Sequence, residues 1–198
     1  MLFKKPKKYS EENLYEVLQA CAENVSAAQE YLYKSHYSFA KSISLRYCNN
    51  AEDAEEVLND SFIKVFNNLS KFDMTKPFKA WLRTILVNTS IDYYRKSQRE
   101  TPVISLEPYH EKPMDSNIID DLNAEELLKL IQELSPSYRM VLMMYAMDGY
   151  NHQEIAERLG ISEGTSKSNL ARARQNLVIL IEKKRKYELV EQKRNTGL

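Results

Sequence analysis

The sequence predicts an all-α protein: two small helical domains joined by a flexible acidic linker, the second a four-helix domain containing a helix-turn-helix. Three observations predict it. Apolar residues recur at three- and four-residue steps along most of the chain, and no segment alternates as a strand would. Glycine is rare, 4 residues in 198. Charge is segregated beneath a net charge of zero: residues 1–100 hold 15 basic and 13 acidic groups, 101–126 hold Lys112 against seven acids, and 127–198 hold 12 basic and 8 acidic groups. The middle stretch also contains Pro102, Pro108 and Pro113 and lacks helical periodicity until about Ile118, which is the composition of a linker. The expected organisation is a first domain over 1–100, an acidic linker over 101–122, a second domain over 123–185 and a basic tail over 186–198.

Composition removes several function classes. No apolar run approaches the roughly 18–20 residues of a membrane span. The amino-terminal MLFKKPKKYSEEN is basic but has no apolar signal core, so a cytoplasmic protein without membrane insertion is expected. Cys21 and Cys48 lie in helix-like segments and read as buried free thiols. His36, His110 and His152 are scattered without ligand spacing, and neither a metal nor a cofactor is expected.

The first domain reads as four helices. Residues 11–21 form a short amphipathic one. Residues 26–48 form a longer one rich in aromatics, with Tyr33, Tyr37, Phe39 and Tyr47 mostly assigned to the core. The third, 51–69, has Asn49 or Asn50 as its cap and buries Ala54, Val57, Leu58, Ser61, Phe62, Val65, Phe66 and Leu69. Its outer face carries Asp53, Glu56, Asp60, Ile63, Lys64 and Asn67. An isoleucine on an acidic ridge is a feature that a protein partner can cover, although one exposed apolar residue is also ordinary. The three carboxylates have no His, Cys or Gly-rich loop beside them, so acid–base catalysis is not expected.

The fourth helix, 77–98, follows a loop over Lys71–Pro77 that places Pro at the helix start. Leu82, Ile85, Leu86, Thr89 and Tyr93 are its expected buried stripe. Beside them run Lys79, Trp81, Arg83, Thr84, Asn88, Arg95, Lys96 and Arg99, with Lys71 and Lys76 in the loop. Cations next to an aromatic suit unpaired nucleic acid, since the cations follow phosphate while the indole stacks on a base. The competing reading makes Trp81 a core residue.

In the second domain, residues 151–177 read as a short helix, a Gly turn and a longer helix. Ile155, Ala156 and Leu159 form an apolar set, Gly160 can take the left-handed state that ends a helix, and Ile161 returns to the core. Ser162 stands at the N-cap position. Ser166, Leu170, Ala173, Leu177 and Ile181 then give the buried stripe. The opposite side carries Thr165, Ser168, Arg172 and Gln175, flanked by Lys167 and Asn169. Seven Lys or Arg against two Glu between 162 and 186 favour a duplex reader over a merely solvated helix.

Three motifs in series, AEDAEEVLNDSFIKVF (51–66), KPFKAWLRTILVNTSIDYYRK (76–96) and LSPSYRMVLMMYAMDGYNHQEIAERLGISEGTSKSNLARARQNL (134–177), resemble those of bacterial RNA polymerase sigma factors of the extracytoplasmic-function (ECF) group, within the sigma-70 family. The resemblance covers most of residues 25–182. It implies a transcription initiation factor, not an enzyme, that is monomeric when free. Its partners would be core RNA polymerase, through the β′ clamp and the β flap, promoter DNA and an anti-sigma factor. On this resemblance, Asp53, Glu56, Asp60, Ile63, Lys64 and Asn67 would meet the β′ clamp coiled coil. Lys71, Lys76, Lys79, Trp81, Arg83, Thr84, Asn88, Arg95 and Arg99 would hold the melted minus-ten element, with a flipped base captured by the loop. Ser162, Glu163, Gly164, Thr165, Lys167, Ser168, Asn169, Arg172 and Gln175 would face the minus-thirty-five element. The linker would thread near the active centre and the RNA exit path.

Two positions depart from the family pattern. Ser166 stands where Val is usual and is expected to loosen the core slightly, while Asn169 stands where Arg is common and removes one contact to DNA. The tail KKRKYELVEQKRNTGL extends past the family core and reads as a frayed, solvated end. The rival readings are a stand-alone helix-turn-helix regulator and, more remotely, a metal-dependent nuclease using Asp53 and Asp60.

Overall fold

The computed structural model describes residues 9, 10, 13–100 and 123–196; the linker expected at 101–122 lies outside them. The described residues form helices and turns with no strand. Close contacts group the chain into two compact units, Met1–Ser44 with Glu52–Ser90, and Leu45–Ala51 with Ile91–Leu198. No described helix is long and apolar enough to cross a membrane.

The first four helices are α1 (Leu14–Ala22), α2 (Ser26–Tyr47), α3 (Ala51–Asn68) and α4 (Phe78–Glu100), with a 3-10 turn at Leu69–Lys71 after α3. Helix α1 buries Val17, Leu18 and Cys21 and ends at a turn in which Asn24 takes positive φ. Along α2 the buried residues are Ala28, Leu32, His36, Ala40, Ile43, Ser44 and Tyr47, mostly at the three-to-four-residue steps of one helix face. The aromatic assignment needs correction. Tyr47 is buried, whereas Tyr33, Tyr37 and Phe39 are half-buried at the edge. There Tyr33 donates its hydroxyl to Asn59 Oδ1 at 3.0 Å and Tyr37 donates to Glu55 Oε2 at 2.8 Å. A phenol is used at such an edge because one end packs while the other bonds.

Helix α3 buries Ala54, Val57, Leu58, Ser61, Phe62 and Val65 as expected, with Leu69 buried in the turn beyond it and Phe66 only half-buried. In α4 the buried set is Phe78, Leu82, Leu86, Val87, Thr89, Ser90 and Ile91. Ile85 and Tyr93, expected inside, are half-buried instead. The helix turns its inner face toward 82, 86 and 89–90, which carries 85 to the flank.

The other four helices are α5 (Ala124–Glu133), α6 (Pro136–Ala146), α7 (His152–Leu159) and α8 (Glu163–Thr196). Their termini are specified by sequence. Asn123 and Asn151 each form a capping box, with Glu126 and Glu154 respectively, so each helix start satisfies amides at both ends of the box. Pro136 opens α6 at its first turn, where its missing N–H is no loss. Buried Arg139 donates from Nη1 to the Gln132 carbonyl at 2.8 Å, joining α6 to the end of α5. Helix α8 does not fray after 185; it continues to Thr196. Lys184 on it reaches Glu126 of α5 at 2.7 Å, and that bond holds the Glu126 carboxyl below its usual range.

Both cysteines are buried and neither is in a disulfide, and burial pushes the Cys21 thiol up to about 11. In the native chain at pH 8, both thiols should therefore react with a disulfide reagent about a hundredfold more slowly than in the urea-unfolded chain. Prompt release of one equivalent from native protein would contradict this placement.

Candidate nucleic-acid interface

Three surfaces carry the residues singled out in the sequence. On α3, burial of one face leaves Glu56, Asp60, Ile63 and Asn67 exposed, with Asp53 and Lys64 half-buried beside them. Ile63 is 57% exposed, with Asp60 one helical turn before it and Asn67 one turn after. Glu55 belongs to a different contact. It accepts from Tyr37 and Lys41 of α2, and the Lys41 bond, followed by the Tyr37 bond, lowers its carboxyl. The ridge is thus held on its rigid backing by a charged anchor at its edge.

The second surface centres on Trp81, the chain's single tryptophan. It is half-buried rather than core. Phe72 packs against it with ring centres 4.6 Å apart, and Phe78 lies 5.9 Å from both rings. Two open grooves meet at the indole. One, of about 330 Å³, is lined by Lys64, Asn68, Lys71, Trp81, Ile85 and Asn88. The other, of about 430 Å³, is formed by the loop residues Lys71, Phe72, Asp73, Lys76 and Pro77 with Ala80, Trp81 and Thr84. The loop is shaped internally. Asp73 Oδ1 accepts from the Thr75 hydroxyl at 2.7 Å and the Thr75 amide at 3.0 Å, and Lys76 N–H bonds the Asp73 carbonyl. The Thr75 hydroxyl, then its amide, lowers the Asp73 carboxyl. At the loop's end the Pro77 carbonyl accepts from the amides of Ala80 and Trp81, starting α4.

Not every residue expected here is gathered. Lys64, read as part of the ridge, lines the Trp81 groove. Lys79 and Arg83 line neither groove; two residues either side of Trp81 is about 200° around a helix, hence the far side. Arg95 and Arg99 lie further along α4 and also line neither. Asn68, Phe72 and Ile85 were missed. Phe72 and Ile85 had the hydrophobicity of core residues, and only the fold reveals that they border an opening.

The third surface is the start of α8. Gly160 adopts φ +70°, ending α7, and Ser162 Oγ accepts from the Thr165 amide at 3.0 Å. Ser166, Leu170, Ala173, Leu177 and Ile181 are all buried, while Ile161 is only half-buried. Outside lie Glu163, Gly164, Thr165 and Lys167, exposed, with Ser168, Asn169, Arg172 and Gln175 half-buried. Lys167 pairs with Glu163 at 2.7 Å and Ser168 donates to the Thr165 carbonyl at 3.0 Å. A Cβ at Gly164 would meet nothing nearer than Ser162 Oγ at 3.7 Å, so packing within the chain does not require that glycine. Sequence reasoning missed His152, whose Nδ1 lies 3.0 Å from Ser166 Oγ.

Comparisons with known proteins agree with the motif order. The family model described as Sigma-70 region 2 matches residues 32–100, and that described as Sigma-70, region 4 matches 124–177. The ECF RNA polymerase sigma factor SigL of Mycobacterium tuberculosis (Erdman strain) is 31% identical over 150 residues, covering 73% of this chain and 84% of that one. SigE of Mycolicibacterium smegmatis, also described as an ECF RNA polymerase sigma factor, is 27% identical over 151 residues; the match covers 74% of this chain and 58% of that relative's length. Among solved structures, the sigma factor RpoE in complex with the anti-sigma factor NepR from Bartonella quintana aligns at 23% identity and a TM-score of 0.45, covering 87% of this chain and 96% of that one.

Because one hydroxyl caps α8, Ser162→Ala should lower the stability of the second unit by about 1 kcal/mol. Ser162→Asp should be near neutral, since a carboxylate caps equally well and suits a helix N-terminus. Thermal melts of the full chain followed by circular dichroism distinguish the two; equal melting of all three proteins would show that the cap contributes nothing.

Proposed function

This chain belongs to the ECF RNA polymerase sigma factors, transcription initiation factors associated with RNA polymerase, and from that membership we propose that it directs core polymerase to promoters by reading a duplex minus-thirty-five element and holding a melted minus-ten element. The observation that carries this reading is the half-buried Trp81 between two grooves bordered by Lys64, Lys71 and Lys76. A regulator that binds only duplex has no use for such a surface. An indole backed by Phe72 and surrounded by cations fits an unpaired base and its phosphates.

Each surface then has one task. The ridge of Glu56, Asp60, Ile63 and Asn67 docks on the β′ clamp, with Ile63 as its apolar anchor. The second unit meets the β flap and places α8 in the major groove, where Thr165, Ser168, Arg172 and Gln175 face base edges and Lys167 faces phosphate. Gly164 leaves space for the DNA backbone near the helix start. Lys79, Arg83, Arg95 and Arg99 serve the flanking phosphates rather than the captured base. The protein brings no covalent chemistry of its own, works in the cytoplasm as a monomer before polymerase binds, and is restrained by an anti-sigma factor that covers these faces.

Run-off transcription with core polymerase tests this, on promoters recovered from transcripts that rise when the protein is overexpressed. Initiation at those promoters should require both core enzyme and this chain. Ile63→Glu should weaken core binding about tenfold or more by placing a charge in an apolar contact. Trp81→Ala should leave core binding intact and reduce strand opening about tenfold. Tight, sequence-specific binding of duplex operators by the free chain, without any effect on core polymerase, would favour a stand-alone regulator instead.

A further inference from the structure

The helix-turn-helix contains a side-chain circuit that neither the reading face nor the apolar core explains. Ser166 lies in the first turn of α8, between Thr165 and Lys167, and is fully buried. A buried hydroxyl needs a partner that an apolar side chain of similar size would not. Its partner is His152 Nδ1, at 3.0 Å. His152 is the first residue of α7, held in place by the Asn151 capping box. Its ring stacks on Tyr145 of α6, with centroids 4.9 Å apart and planes 23° from parallel. Arg174, two turns beyond Ser166 on α8, lies over the same tyrosine at 5.7 Å. The circuit leaves α8 at Ser166, passes through α7 and α6, and returns to α8 at Arg174.

A methyl-to-methyl contact at this point would resist separation of the helices but tolerate sliding and rotation. A hydrogen bond depends on both distance and direction. Ser166 is also a neighbour in sequence of two residues assigned to DNA, so any rotation at 166 is passed to them through one rigid helical turn.

We propose that His152 and Ser166 form a paired positioning unit that sets the orientation of α8 against α7, and that discrimination among minus-thirty-five sequences depends on that orientation. The inference rests on the duplex-reading role proposed for α8. Neither residue contacts DNA; both act through Thr165, Lys167 and Ser168.

Four variants of the full chain test it. His152→Phe keeps a ring against Tyr145 and removes the nitrogen. Ser166→Val removes the hydroxyl, Ser166→Thr keeps it, and the double variant His152→Phe/Ser166→Val removes both halves together. The first readout is the imidazole 15N spectrum of the free chain: the His152 Nδ1 resonance should move in Ser166→Val and be retained in Ser166→Thr. The second is the ratio of run-off from a responsive promoter to run-off from the same promoter with its minus-thirty-five bases replaced. His152→Phe and Ser166→Val should each lower that ratio about tenfold, with the double variant no worse than either, as expected for residues that act as one unit. Ser166→Thr should preserve it.

An Nδ1 resonance indifferent to Ser166 would overturn the pairing, and folded single variants with an unchanged ratio would overturn its role in discrimination. Either result alongside normal wild-type initiation sinks this inference alone. Absence of core-dependent initiation by the wild-type chain would remove the proposed function and this inference with it.

Discussion

In a helix, the residues available for work on the outside are fixed by those that must be buried inside, because one period of roughly 3.6 residues governs both. Every working surface of this protein depends on that coupling. Burial of Val57, Leu58, Ser61, Phe62 and Val65 leaves Glu56, Asp60, Ile63 and Asn67 outside on α3. Burial of Ser166, Leu170, Ala173 and Leu177 leaves Thr165 and Lys167 exposed on α8. The apolar stripe therefore does more than supply folding energy. It sets the rotation of each helix, and rotating a helix by one residue would replace the presented surface with another.

Polar contacts then define the angles that the apolar stripes leave loose. Tyr37, Lys41 and Glu55 tie α3 to α2 at the edge of the acidic ridge. Asp73 and Thr75 shape the loop beside Trp81. Glu126 and Lys184 join α5 to α8. Each is worth little as stability where it is solvent-exposed. Their importance is geometric: the first two stand beside the α3 ridge and the Trp81 grooves, and the third fixes the far part of α8 against α5.

The fold class, the helix order and the helix-turn-helix were legible in the sequence because they rest on local signals. Gly160 in the left-handed state, Ser162 as a cap and the 166–170–173–177–181 stripe need no knowledge of the rest of the chain. The errors fall where a helix face borders two environments. Ile85 and Phe66 have core chemistry but sit at flanks, and Tyr33 and Tyr37 spend their hydroxyls at an edge. Periodicity reports the centre of a buried stripe well and its margins poorly. The Trp81 site was half legible: its cations and aromatic were visible, but only the fold shows that Phe72 and Ile85 border the opening. The His152–Ser166 pair could not be read at all, since fourteen residues and a turn separate the two groups. The continuation of α8 past 185 was missed for a different reason. A charged segment without an apolar stripe looks like a solvated end, yet it can extend a helix that is already nucleated.

That extension has a mechanical consequence. The 34 residues of α8 span about 50 Å at the rise of an α-helix, with Thr165 and Lys167 at one end and exposed Tyr187 and Val190 toward the other. The rod is clamped rather than pivoted: Leu170, Ala173, Leu177 and Ile181 are buried along it, and Lys184 reaches Glu126. A pull on the far end is therefore carried first by α5 and the apolar stripe. Only the stretch past that ion pair, about 18 Å long at the rise of an α-helix, acts as a lever arm.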